Sequence, residues 1–589
     1  MVLPRIIVKK WKPGRLSKRR NVIMGKQYEA SEPIYEVIRE ENVMVEVRDG
    51  IHIAVDVYRP KAEGKFPALL AMSPYGKISQ VYPITPPMPF GSSIFEASCE
   101  SGDPFYFASR GYVFVIADHR GTGDSEGTMY GFMDYHEGED GHDVVEWMAK
   151  QEWCTGKVGL CGICYFANTQ MQIAVTQPPS LVCMAPWEIY GDDPYVHANF
   201  DGGVQSLFFY GLYTGTYPAR VGYGIKNIKS WMIENTDPDE LKKMVDEMCE
   251  DPKWAQYPYI YHLLKYPEKN PLLFDMTLNP DDNQYWRDRS FIEKIDKINV
   301  PIYVGGPNFS FFGLSQINTW NRLPDNIPKK LRLYKDMGMR PWKDDHDELL
   351  RWYDYWLKGM ETGIMDEPTV RYQTGGKILW HEAEAYPPED TQWTELYLAS
   401  LGKLEDEPEL FNDWPDSFIT QPLTASNDRA MLTYVTDPLS EDCMITGGAQ
   451  AVIYGEIDKD ETTWRIDLRE VGTDGAPPLP LGQGWLRAQH RAIDEEKSSV
   501  YEVRHDHSKA VPVPEGEIVR YDIQLRPCSH IFKAGTRIRV DISANEIPTD
   551  PETYDVMWHV CPDGPITHKI YRDAEHQSCI RLPIVPIKK

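Results

Sequence analysis

The sequence predicts an α/β fold in its first part, a helical insertion over that fold, and a C-terminal all-β domain of jelly-roll type. Three observations carry this expectation. Buried-type strand runs, "FPALLAM" (66–72), "YVFVIAD" (112–118) and "KVGLCG" (157–162), alternate with helical text, the pattern of a parallel sheet covered on both faces. The alternation stops near residue 186 and resumes at "NVPIYVGG" (299–306). Beyond residue 370 helices largely give way to short alternating strands separated by turn residues. A chain of 589 residues also exceeds what one core organises, so more than one domain is expected.

In chain order, "MVLPRIIVKKWKPGRLSKRRN" is basic, free of acids and without the continuous apolar core of a secretory signal. Residues 1–40 therefore read as an arm that packs on the acidic body or on a neighbouring subunit, with a targeting peptide as the alternative. In "VMVEVRDGIHIAVDVYRP" two alternating runs flank Asp49-Gly50, a hairpin signal. A helix lies in "EDGHDVVEWMAKQ", with Val144, Trp147 and Met148 on one face. The sheet domain is assigned to 41–185 and 291–370 and the helical cap to 186–290. Within the cap, "TDPDELKKMVDEMCE" starts a helix with Asp237 as N-cap, Pro238 at the first helical position and Glu240 in the first turn. A further helix is expected in "HDELLRWYDYWLKG" (346–359). The jelly-roll domain is assigned to 371–589, where "AQAVIYGEI", "EIVRYDIQL" and "GTRIRVDISAN" alternate; Ile538, Val540 and Ile542 share one face, Arg537, Arg539 and Asp541 the other.

A formal charge of −27 argues against nucleic acid as a partner, because phosphate binding needs a concentrated basic surface. No run approaches the length of a membrane span. The ten cysteines are scattered without zinc-site spacing, which points to a reducing, cytoplasmic compartment. No metal or cofactor is expected: "HRGTGDSEG" has glycines but lacks the Lys-Ser/Thr of a phosphate loop. The expected partner is a small-molecule substrate.

The stretch that points to chemistry is "KVGLCGICYFANTQ" (157–170), a strand, a sharp turn and a helix, with Gly162 and Ala167 flanking Cys164. Such a turn forces its apex residue into a strained conformation and stands the side chain clear of the backbone. The following helix aims its N-terminus at the apex, where its dipole favours a thiolate or an oxyanion. A buried, inert cysteine is the alternative reading.

Several segments together resemble the CocE/NonD group of α/β-hydrolases, relatives of the X-prolyl dipeptidyl aminopeptidases. They are "VEVRDGIHIAVDVYRP", "SPYGK", "GYVFVIADHRGTGDSEG", "EGEDGHDVVEWMAKQEWCTGKVGLCGICYFA", "RWYDYWLKG" and "GEIVRYDIQLRPCSHIFKAGTRIRVDIS". They span nearly the whole chain past residue 40. The resemblance implies that Cys164 occupies the family's nucleophilic serine. It also implies that the backbone N–H of Tyr165 and the hydroxyl of Tyr75 form an oxyanion hole, and that relatives of this kind assemble as homo-oligomers. The family's histidine precedes the helix read here at 346–359, which makes His346 the candidate base. The family wording places it nearer the Pro-Trp, where this chain has Lys343 and Asp344. Flanked by Asp345 and Asp347, His346 is expected to hold its proton more tightly. The family aspartate is absent: Phe309 stands at about its place, beside Asn308, which is a candidate to orient the histidine. Glu188, in "APWEIYGDD", starts the cap and is a candidate acid–base group, substrate contact or cap anchor.

A thiol is partly ionised near neutral pH, so a cysteine at the turn tolerates a weakened triad better than a serine. A thiolate is also a good leaving group, which favours esters, lactones and thioesters over peptides. The expected function is a cysteine-nucleophile hydrolase or acyltransferase working through a covalent acyl-enzyme. The alternative is a non-hydrolytic lyase, isomerase or cyclase on the same scaffold, and a catalytically silent binding protein is a third reading.

Overall fold

The computed structural model describes the backbone of residues 6–9, 22–23, 26–81, 100–131, 133–206, 227–255, 257–336, 346–410, 414–422, 429–546, 559–562 and 564–587. Two sheets organise these residues. The first has eleven strands, here β1 (Ile6–Lys9), β2 (Val37–Glu46), β3 (His52–Pro60), β4 (Phe66–Ser73), β5 (Val113–Asp118), β6 (Cys154–Leu160), β7 (Leu181–Met184), β8 (Ile302–Phe309), β9 (Lys329–Asp336), β10 (Val370–Gln373) and β11 (Trp380–Ala383). Their spatial order is β1-β2-β3-β5-β4-β6-β7-β8-β9-β10-β11. The strands from β5 through β10 pair in parallel, and antiparallel strands close both edges.

Parallel strands need crossovers, and helices supply them. The helices used below are α1 (Pro104–Ala108), α2 (His136–Ala149), α3 (Tyr165–Ala174), α4 (Pro238–Cys249), α5 (Pro258–Lys265), α6 (Pro271–Thr277), α7 (Gly313–Arg322) and α8 (His346–Lys358). The sheet interior reads as continuous apolar text because both faces are covered. One face packs Val144, Val145 and Met148 of α2 with Ile317 and Trp320 of α7, and the other packs Leu349, Trp352 and Tyr353 of α8. Trp147, expected on the buried face of α2, is only partly buried and meets Trp153 edge-on.

Between β7 and β8 the chain forms a short hairpin (Phe200–Asp201 with Val204–Gln205) and a run of helices that includes α4, α5 and α6. Asp237 caps α4, accepting from the amides of Asp239 and Glu240. The Asp275 carboxylate on α6 takes the amides of Trp231 and Met232 and the Ser230 hydroxyl, and burial pushes its pKa up to about 6. The second sheet has thirteen strands, all from the C-terminal part and antiparallel but for one pairing. Ile538, Val540 and Ile542 are buried in its core; Asp541 of the opposite face is buried too, ion-paired with Arg469 and Arg539. β10 and β11 carry the first sheet on to residue 383, because β10 finds a free parallel edge on β9. The N-terminal arm supplies β1 as an antiparallel edge strand on β2.

Candidate active site

The site is built where β6 ends. Cys161, Gly162 and Ile163 carry the chain from the strand into α3, and Cys164 is the residue before the helix, with φ 59° and ψ −122°. This is a left-handed backbone on a non-glycine residue, which persists only when its surroundings over-determine it. They do. The Cys164 N–H donates to the carbonyl of Trp187 at 3.0 Å, and its carbonyl accepts from Ala167 at 2.9 Å. Ile163 donates to the carbonyl of Glu100, and Trp187 bridges Ile163 to Gly305 as an added strand pairing. The Gln170 amide reaches back from α3 to the carbonyls of Gly162 and Ala185. Gly162 is required twice: its φ is +125°, and a Cβ there would stand 2.3 Å from Phe166 Cβ.

Beside the turn, Tyr75 is buried and its hydroxyl lies 3.7 Å from Cys164 Sγ. Its ring meets Tyr165 and Phe166 edge-on, at 5.7 and 6.2 Å. The segment after β4 that carries Tyr75 is pinned by Lys77, whose buried ammonium pairs with Asp118 at 3.1 Å and Asp124 at 2.6 Å. Tyr165 opens α3, so its amide belongs to the first turn, next to Cys164. Its side chain is anchored behind the turn. The Tyr165 hydroxyl donates to Glu137 at 2.7 Å and accepts from the Met133 amide at 2.9 Å. His119 sits against the same Glu137 at 3.5 Å and against Thr169 of α3 at 3.1 Å.

His346 opens α8 with its ring against Tyr106 and Phe107, and its Nε2 accepts the Asp103 amide proton at 3.0 Å. With Nε2 as acceptor, a neutral ring carries its proton on Nδ1. The Asp347 carboxylate takes the Tyr106 hydroxyl. Lys343, Asp344 and Asp345 lie outside the described residues.

Asn308 does not orient the histidine. Its amide nitrogen donates to Tyr386 Oη at 2.6 Å and Ser529 Oγ at 2.8 Å, and neighbouring Phe309 packs into the core of the C-terminal sheet. The end of β8, where the resemblance implies an acid, is thus committed to joining the two sheets. Glu188 lies one residue beyond the carbonyl that holds Cys164. It is fully buried, its φ is 62°, and its amide donates to Gly305 at 2.7 Å. Its Cγ lies over Gly306, where a Cβ would stand only 3.2 Å away.

The structure therefore brings Tyr75, Cys164, Tyr165 and the backbone of Glu188 together, attaches His346 to the Asp103 amide, and turns Asn308 away. The sequence reading missed the Trp187 carbonyl and the Glu137–Tyr165 bond. The acid of "EGEDG" at the start of α2 is the one signal that pointed to the latter. No group of three or more metal-ligating side chains occurs among the described residues, and no helix there is long and apolar enough to cross a membrane.

The family model described as X-Pro dipeptidyl-peptidase (S15 family) matches residues 49–343, and that of the X-Pro dipeptidyl-peptidase C-terminal non-catalytic domain matches residues 362–580. The cocaine esterase of Rhodococcus sp. (strain MB1 Bresler) is 24% identical, covering 92% of this chain and 98% of its own. A putative serine esterase of Mycobacterium tuberculosis is 23% identical, covering 94% and 96% respectively. Among solved structures, a CocE/NonD family hydrolase from Staphylococcus aureus superposes with a TM-score of 0.75 at 23% identity over 93% of this chain and 94% of that one. An alpha-amino acid ester hydrolase does so with a TM-score of 0.67 at 18% identity over 97% and 100%.

Proposed function

Because the chain belongs to the X-Pro dipeptidyl-peptidase S15 family, we propose that it hydrolyses an ester-type bond of a small organic molecule, with Cys164 as the nucleophile. Its fold is that of the α/β-hydrolases, and its curated relatives include esterases and dipeptidyl-peptidases. The observation that carries the reading is the strained Cys164 backbone at the head of α3 with a phenol 3.7 Å from the sulfur.

In this reading the Cys164 thiolate attacks the substrate carbonyl carbon, and the carbonyl π electrons move onto oxygen. That oxyanion is met by the Tyr75 hydroxyl and the Tyr165 amide, two donors fixed before substrate arrives. Collapse expels the alcohol, which takes up a proton, and leaves an acyl thioester on Cys164. Water attacks the thioester, and the acid departs as the thiol is restored. His346 carries the proton between thiol, leaving group and water once its Nε2 leaves the Asp103 amide. Glu188, beside the turn, is the rival carrier. A thiol needs less help than a hydroxyl would, which suits a chain with phenylalanine where a triad acid is expected. All nine described cysteines are free, in keeping with a reducing compartment such as the cytoplasm.

A second reading has its own support. With Asn308 and Phe309 committed to the C-terminal sheet, neither orients a base for attack by water, which also suits a lyase, isomerase or cyclase. A panel of p-nitrophenyl esters and thioesters tests both. Release of p-nitrophenol that Cys164→Ala abolishes supports hydrolysis. Release that survives Cys164→Ala removes the cysteine from the reaction, and inertness of the native protein toward every ester favours the second reading.

A further inference from the structure

Away from the site, residues 491–518 of the C-terminal part run without helix or strand apart from one bridge between Ile493 and His505. Loops of that length inside a compact domain usually serve a purpose. This one is strapped across the first part of the chain. Arg504 pairs with Asp193 at 2.5 Å, Glu502 faces His197 at 3.5 Å, and the His507 carbonyl accepts from Asp282. Between the strap and α7 lies a cavity of about 260 Å³.

Two chemistries meet in this cavity. Its apolar surface comes from Leu314 and Ile317 of α7, from Pro387 and Pro527, and from the half-exposed ring of Tyr501. One wall is bare backbone at Gly447 and Gly448, where added Cβ atoms would collide with Pro387 and Gln524. Its positive charge comes from Arg322 and Lys497. Arg322 donates from Nε to Asn318 and from Nη2 to the Lys497 carbonyl, and among the described residues no carboxylate lies within ion-pair distance of it. Lys497 pairs with Asp494 at 3.4 Å, its side chain half exposed, and its charge also reaches Asp282 and Asp506. The one acid of the lining, Glu502, is already matched by Arg504 at 3.0 Å and by His197. In a chain of net charge −27, a guanidinium without a carboxylate beside an apolar cavity is unusual. A cavity of ~150 Å³ holds benzene, so this one has room for a ring and a short chain.

We propose that the cavity between α7 and the 491–518 strap is a second binding site, for a small organic carboxylate with an apolar body whose anionic end meets Arg322 and Lys497. The proposal does not depend on the chemistry at Cys164. Its affinity falls as salt rises, because the attracting charges are partly solvated. The probe is 4-phenylbutyrate, with 4-phenylbutyramide as its uncharged counterpart, titrated calorimetrically into the full chain.

The expected result is saturable binding of the acid but not the amide, unchanged in Cys164→Ala. Arg322→Met should weaken it roughly tenfold or more, the range of one charge-assisted hydrogen bond. Since Arg322→Met also removes the bond to Asn318 on α7, Asn321→Asp is the second variant. Asn321 lines the cavity and is exposed, and among the described residues its side chain makes no hydrogen bond, so the added carboxylate repels the ligand without disturbing α7. Three results would overturn the proposal: no saturable binding of the acid, binding that neither variant weakens, or binding that Cys164→Ala removes, which would place the acid at the catalytic turn.

Discussion

At residue 164 the backbone stands at φ 59°, a conformation that costs a non-glycine side chain on the order of 1–3 kcal/mol. The Trp187 carbonyl and the Gln170 amide hold it there, and the return is a sulfur lifted toward the Tyr75 hydroxyl. Tyr75→Phe should therefore lower kcat by roughly 10²–10³ and leave KM within a few-fold, as loss of one oxyanion donor does; steady-state kinetics on a p-nitrophenyl ester measures this. An equal rise in KM with kcat unchanged would make Tyr75 a packing residue only. The other thiols differ in reactivity for a physical reason. Burial pushes Cys161, Cys528, Cys561 and Cys579 up to about 12 and Cys183 well above its ordinary value. Iodoacetamide should thus alkylate Cys164 ahead of these five, read by peptide mass spectrometry, and uniform labelling would count against a special thiol. The strained turn at Cys164 was legible in "CGICYFA" because strand, glycine and small residues are local signals. The Trp187 carbonyl was not, since it arrives from the segment after β7 and carbonyls have no sequence signature.

Among the elements, the turn into α3 depends on Gly162. Gly162→Ala places a Cβ 2.3 Å from Phe166 Cβ on a backbone at φ +125°, so the turn must shift. The expected outcome is a loss of about 1–3 kcal/mol in urea unfolding together with most of the esterase activity. Full activity in that variant would show that the turn's geometry is not needed. β8 shows the limit of reading elements from text. "NVPIYVGG" announced the strand, and its successors Asn308 and Phe309 looked like a degenerate catalytic loop. In space they serve the contact with Tyr386, Ser529 and the C-terminal core, residues 78 or more positions away in the chain. β10 and β11 have the alternation of the β-rich part, but they join the first sheet because β9 leaves a parallel edge that β10 fills.

On the scale of the molecule, the two parts are joined through buried ionisable groups that titrate in opposite senses. Burial lowers the His197 ring, and Asp192 at 2.5 Å with Glu502 more than reverses this, to about 9. His559 likewise reaches about 9 against its burial, through Glu546 and Asp201. Both values lie above that of an unfolded histidine at ~6.5, so the stability these two contribute is full below that pH and is lost as pH rises through about 9. His505 is pushed down by burial to about 4, and His490 and His507 are lowered with it. Their contribution is present above ~6.5 and is lost as pH falls from there toward 4. The melting temperature should therefore pass through a maximum near pH ~6.5 and fall on both flanks. His197→Gln should lower that maximum and flatten the alkaline flank; an alkaline flank unchanged by that substitution would remove His197 from the junction's energetics.

The central claim is that Cys164 forms a covalent acyl bond with the substrate. Rapid acid quench of the protein with a p-nitrophenyl ester, followed by intact and peptide mass spectrometry, tests it most directly. The account predicts one added acyl group, on the peptide bearing Cys164, absent in Cys164→Ala and formed at least as fast as steady-state turnover. Turnover with no adduct at Cys164, or an adduct on another residue, would contradict it.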